Sequence, residues 1–254
     1  MAAKGVPFTA WHRWDRNFFL GFVLVAWLGV LLGFVPASLG RMAGKAAYVA
    51  PPVLHVHAIS FVLWMLLLTM QVLLVRTGRT AIHRRTGMLA ALLIPVMVLS
   101  GFFAEVYSQR YYLAHPPDSQ AFFIVPLFYV AAFGLLASLA VARRRDPPAH
   151  KRLIFLATTT IVGAAWARAT GEAIAGVVGD GYWGMLANTF AATNLLLLAA
   201  VAFDWSTRRR VHGVLAWGVP LILVGELVVS WIYHAPGWLP VARAIVAPLP
   251  GPPI

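Results

Sequence analysis

The chain has 254 residues, of which 61% are hydrophobic and 11% charged, with a mean hydropathy of +0.79. A single soluble core of that length cannot hide so much apolar surface, so a bilayer must cover part of it, and no segment between the apolar runs is long enough to build a second domain. The formal charge of +12 is divided into short clusters between those runs, a pattern that orients membrane helices rather than one that follows nucleic acid, and the lack of cysteine excludes disulfides, thiolate metal sites and iron-sulfur clusters.

A polar, aromatic start with Trp11, His12 and Trp14 precedes the first apolar run, which argues against a cleaved signal peptide. Crossing about 30 Å of hydrocarbon takes roughly 20 helical residues. Runs of that kind fall at Phe18 to Pro36, Val53 to Val75, Met88 to Val106, Ala121 to Ala142, Leu153 to Val178, Tyr182 to Phe203 and Val211 to Tyr233. They are too long for barrel strands, and lipid leaves no backbone group unpaired, so the expectation is an all-α polytopic membrane protein, one domain over 1–254 with seven transmembrane helices. The Pro-rich tail from Pro236 to Ile254 is too broken to span and is expected along the outer interface.

With a cytoplasmic N-terminus, fifteen basic residues lie inside: Lys4, Arg13, Arg16, Arg76, Arg79, Arg84, Arg85, Arg143, Arg144, Arg145, Lys151, Arg152, Arg208, Arg209 and Arg210. Four (Arg41, Lys45, Arg110 and Arg243) lie outside, and Arg168 is within a helix. The positive-inside rule therefore puts the N-terminus in the cytoplasm and the C-terminus outside, in the inner membrane of a bacterium. The three basic loops, 76–85, 143–152 and 208–212, each contain a His and resemble one another as the trace of a repeated hairpin would.

Ionisable groups inside a bilayer are costly and are functional candidates by default. Arg168 and Glu172 are four apart on one helix face, Glu226 lies in the outer third of the last helix, and Glu105 closes the third. With His55, His57 and His234 they mark an outward-facing polar site; the plainer alternative is an Arg168 to Glu172 ion pair that locks helices. A zinc or copper site from His55, His57 and His234 has suitable ligand types but no diagnostic spacing.

A b-type haem between helices needs two imidazoles at one depth on neighbouring helices. Two same-side pairs are available: His57 with His115 on the outer side, and His83 with His150 on the inner side. They would stack two haems across the membrane, with Arg84 or Arg152 near the propionates and no metal beyond haem iron.

From His57 there are thirteen residues to Gln71 and eleven more to His83-Arg84-Arg85-Thr86-Gly87; His150-Lys151-Arg152-Leu153 follows, with Arg168 in the same helix. Over about residues 50 to 170 this resembles a widespread bacterial family of uncharacterised polytopic membrane proteins carried as a domain of unknown function. A looser similarity is to transmembrane di-haem b-type cytochromes. In those the ligands sit on four successive helices, paired second with fourth and third with fifth, and electrons pass from ascorbate or quinol across the membrane.

Two classes of function follow. One is an electron-transfer protein with His57, His83, His115 and His150 as axial ligands and a quinone or another membrane redox protein as partner. The other is haem-free: a small-ligand binder or transporter using Arg168, Glu172, Glu226 and Glu105, or an accessory subunit packing through small residues such as Gly163, Ala164 and Ala165. No nucleophile with a base, phosphate loop or carboxylate dyad supports hydrolysis.

Overall fold

The computed structural model of the chain describes residues 8–115 and 120–249; Lys4, Pro116, Pro117 and the end of the tail lie outside them. Among the described residues nine α-helices run in order: α1 (Asp15–Met42), α2 (Pro52–Arg76), α3 (Thr80–Thr86), α4 (Leu89–Leu113), α5 (Ile124–Ala142), α6 (Pro147–Val178), α7 (Tyr182–Arg208), α8 (Gly213–His234) and α9 (Trp238–Val246). A 3-10 turn, Gln120–Phe123, leads into α5. Seven stretches are long and apolar enough to cross a membrane, α3 and α4 together making one of them. All seven expected spans are present.

Several ends follow from local chemistry. Pro52 and Pro147 start α2 and α6, where a missing N–H costs nothing. Asp146 caps α6 by accepting from Ala149 N–H (3.3 Å), and His212 caps α8 by accepting from Val214 N–H (3.1 Å). Because α6 starts at Pro147, His150 and Arg152 sit in its first turns rather than in the basic loop. His83 likewise lies inside the separate helix α3.

α6 is the axis of the bundle. Its most apolar window is 61% buried, against 28% to 33% for the other spans, and it packs on α1, α5, α7 and α8. Small residues permit this: a Cβ on Gly33 of α1 would collide with the Ala165 carbonyl, and one on Gly163 would meet Thr193 Oγ1 at 2.5 Å and the Tyr129 hydroxyl at 2.9 Å. Polar cross-links add register, with Trp64 donating to Thr158 (3.2 Å) and Trp27 to Thr69 (2.9 Å). Leu24, Leu28, Leu31, Leu63, Leu66 and Leu73 remain exposed on the outer faces of α1 and α2, the surface that lipid covers.

The described members of the fifteen-residue basic set lie at one end of the bundle, the basic end. α9 packs against the 3-10 turn, α4 and α8 at the opposite end. Arg110 holds it there by donating to the carbonyls of Ala247 (2.8 Å) and Leu249.

Candidate functional site

At the basic end, His83 from α3 and His150 from α6 come together. Their ring centres are 6.4 Å apart and their planes are inclined at 80°. His150 Nδ1–H donates to the Ala140 carbonyl at the end of α5 (2.8 Å), which leaves Nε2 as the edge with a lone pair. The Gln71 amide lies against the Nδ1 edge of His83. With its oxygen on that edge, its nitrogen donates to Thr86 Oγ1 (2.8 Å). With the amide reversed, the nitrogen donates to His83 Nδ1 and to the His83 carbonyl (3.0 Å), and the oxygen accepts from Gly87 N–H (3.3 Å). The amide orientation therefore selects the His83 tautomer, and only an oxygen facing Nδ1–H leaves Nε2 free to bind a metal.

Two metal to imidazole bonds of about 2 Å, plus the half-width of each ring, come to about 6 Å. The observed 6.4 Å separation matches that span; the donor set fits one iron with two axial imidazoles when the Gln71 oxygen faces His83 Nδ1, whereas the reversed amide, which satisfies all of its own hydrogen bonds, leaves the proton on His83 Nε2. A cleft of about 560 Å³ beside Arg13 and Phe203 and one of about 440 Å³ between α4 and α5 are not lined by His83 or His150. Ring separation and donor type, not a preformed slot, carry the fit.

The other expected pair is not brought together. His57, on α2, has Nδ1 3.6 Å from where a Cβ on Gly101 would lie. His115 lies just past the end of α4; it stacks on Tyr111 at 4.0 Å and bonds the Tyr111 carbonyl (2.8 Å). Ten residues of α4 separate Gly101 from Tyr111, about 15 Å along the axis, so no single iron joins these rings. The expectation of two haems stacked across the membrane is corrected accordingly.

Arg152 is also committed elsewhere. It is 3% exposed, and it forms a two-pronged pair with Asp204 of α7, which is 1% exposed. Arg208 and Lys151 both pair with Asp15 (2.8 and 2.6 Å), and Phe8 lies over the guanidinium groups of Arg152 and Arg208 at 4.6 and 5.4 Å. Arg84 is exposed, on the helix that carries His83. Neither Asp15 nor Asp204 stood out in the sequence, because each looks like an ordinary acid at a helix end. The helix-capping His212 lies in the same region; burial, and then the Arg152 charge, hold its imidazole below the usual histidine range.

Toward the opposite end, a second polar group forms. Arg168 lies within electrostatic reach of His57, Glu105 and Tyr129, and Tyr129 within reach of Glu226. Glu105, Tyr129, Arg168 and Glu226 lie at similar depth, eight to ten residues in from Leu113, Gln120, Val178 and His234. Glu226 is 1% exposed and lies against Asn194, as Tyr129 lies against Thr193; among the described residues Glu226 Oε1, Asn194 Oδ1 and His57 Nδ1 are buried with no partner. Tyr129, Thr193 and Asn194 were not singled out in the sequence, since neutral polar residues give no charge signal in an apolar helix.

Three expected members do not join this group. Among the described residues His55 and Glu172 make no hydrogen bond or ion pair with it, and His234 bonds its own helix at the Ser230 carbonyl (2.8 Å). The proposed ion pair is absent among the described residues: Arg168 is exposed, lies over the Phe34 ring (4.9 Å) and donates to the Ala164 carbonyl (3.1 Å), with no contact to Glu172. Glu105 instead accepts from Gln109 (2.7 Å). Among the described residues, no three His, Asp or Glu side chains converge as a metal set.

Compared with protein-family models, curated proteins and solved structures, the chain matches none.

Proposed function

We propose that this membrane protein exchanges electrons through one b-type haem held by His83 and His150 near the basic end of the bundle. The observation that supports this most is the 6.4 Å approach of two imidazoles from separate elements, with His150 Nδ1 held by the Ala140 carbonyl; the reading requires the Gln71 oxygen, not its nitrogen, on the Nδ1 edge of His83. A haem bound there supplies reversible one-electron exchange. The Ala140 carbonyl fixes the His150 ring and raises its basicity as a ligand, Gln71 fixes His83, and exposed Arg84 is available for a propionate carboxylate. With the positive-inside rule, this end faces the cytoplasm of a bacterial cell. Electrons would then be exchanged on that side, with a quinone or a membrane redox protein, and would not cross the bilayer within this chain.

The test is a reduced-minus-oxidised spectrum of protein produced with haem supplied. Sharp low-spin bands that vanish in His83→Ala and in His150→Ala, and persist in His115→Ala, support the reading. Colourless protein that is folded by circular dichroism overturns it.

The unpartnered polar atoms around Glu226 and the Arg168 group favour a second, haem-free reading, in which the opposite end binds or moves a small ligand. Loss of ligand-dependent thermal stabilisation in Arg168→Gln, with the spectrum unchanged, would separate that role from the first.

A further inference from the structure

The cleft of about 560 Å³ at the basic end lies where α1 begins and α7 ends. Its rim carries Arg13, Asn17, Ser206 and Thr207, and its inner wall is formed by Phe18 and Phe203, which stack at 4.1 Å with planes 11° apart. Arg13 is exposed, and Arg76 comes alongside by donating to Asn17 Oδ1 (2.9 Å). The acids beside it in sequence, Asp15 and Asp204, are buried and already neutralised by Lys151, Arg208 and Arg152. The rim is therefore cationic without compensation, while the floor is aromatic. Trp14 and Trp205, 49% and 57% exposed, belong to the same helix ends and set the level of the membrane interface, where tryptophan concentrates.

We propose that this cleft binds one anionic phospholipid of the adjoining leaflet. Its phosphodiester meets Arg13 and the Asn17 amide; Ser206 and Thr207, whose hydroxyls donate to the Phe203 carbonyl, close the rim sterically, and the upper part of its acyl chains lies on the Phe18 and Phe203 wall. The arrangement discriminates by charge at the rim and by apolar contact below it. A zwitterionic lipid brings an ammonium group to a rim with no free acid, and a free phosphate gains nothing from the wall.

The full chain, stripped in detergent, is offered phosphatidylglycerol, phosphatidylcholine or inorganic phosphate at equal concentration, and bound species are counted by native mass spectrometry. Phosphatidylglycerol should be retained and the other two should not. Arg13→Gln should weaken its retention about fivefold. Ser206→Phe, which fills the cleft without changing charge, should abolish it. Equal retention of the two lipids, displacement of the lipid by inorganic phosphate, or full retention by both variants would each overturn the site. Arg13 and Ser206 stand outside the Asp15 and Asp204 ion pairs, so both variants are expected to melt like the parent.

Discussion

Arg152 and Asp204, 52 residues apart, face each other in the interior as a two-pronged pair, with Arg152 Nε 2.8 Å from Asp204 Oδ2. Asp204 Oδ2 also accepts from His212 N–H (3.1 Å), so one carboxylate fixes the start of α6, the end of α7 and the turn into α8. Removing one partner of a buried pair strands the other charge. Asp204→Asn should cost about 3 to 5 kcal/mol in denaturant unfolding, and much less when made on top of Arg152→Met, where no unpaired cation remains. Equal costs in the two backgrounds would show that the pair is not what matters at this position.

Gln71 offers a sharper test of the histidine pair than deletion of a ligand does. Gln71→Glu presents only acceptors to the Nδ1 edge of His83, so it holds the proton there and keeps Nε2 free. Gln71→Leu removes the orienting group altogether. Haem retention on dilution should therefore hold or improve in the glutamate variant and weaken about 10- to 100-fold in the leucine variant, the usual penalty for losing such a support. The same weakening in both variants would mean that Gln71 acts on packing rather than on the tautomer.

Much of the fold was legible because the membrane imposes it: apolar runs of spanning length and clustered arginines left few alternatives. The inner histidine pair was legible for a related reason, since short basic loops bring neighbouring helix ends to one level. The outer pair failed on helical rise. His115 and His57 share a side of the membrane, yet α4 carries His115 far past the level at which His57 meets Gly101. Charge alone also misplaced Glu172, because four residues set a helix face but not what stands opposite it. Nothing in the local sequence links Asp15 to Lys151 and Arg208; only the packing of α1 and α7 around α6 does so.

His212 gives a pH dependence with a definite sign. Its folded pKa lies below its unfolded value, because burial and the Arg152 charge disfavour the imidazolium. The unfolded chain then binds more protons, so stability is fully present above the ordinary value of about 6.5 and is lost as pH falls toward the folded pKa. Protonation also removes the Nδ1 lone pair that accepts from Val214 N–H. Between about pH 7 and 5 the melting temperature should fall more steeply in the parent than in His212→Asn, which keeps a capping oxygen without a titration. Parallel curves for the two proteins would remove His212 as a source of the acid sensitivity.

Seven crossings would put the start of α1 and the helix α9 on opposite sides of the membrane, and the described inner members of the basic set lie at the end where α1 begins. Loops rich in Arg and Lys resist translocation, so this end should stay in the cytoplasm and α9 should lie in the outer interface. A reporter that works only in the periplasm, fused after Leu249, should be active, and the same reporter fused within the 143–146 turn should be silent. A cytoplasm-only reporter should give the reverse pattern. Activity of the periplasmic reporter in the 143–146 turn would invert the orientation and move the His83 and His150 pair to the outer face. Activity of one reporter at both positions would contradict an odd number of crossings between the two fusion points.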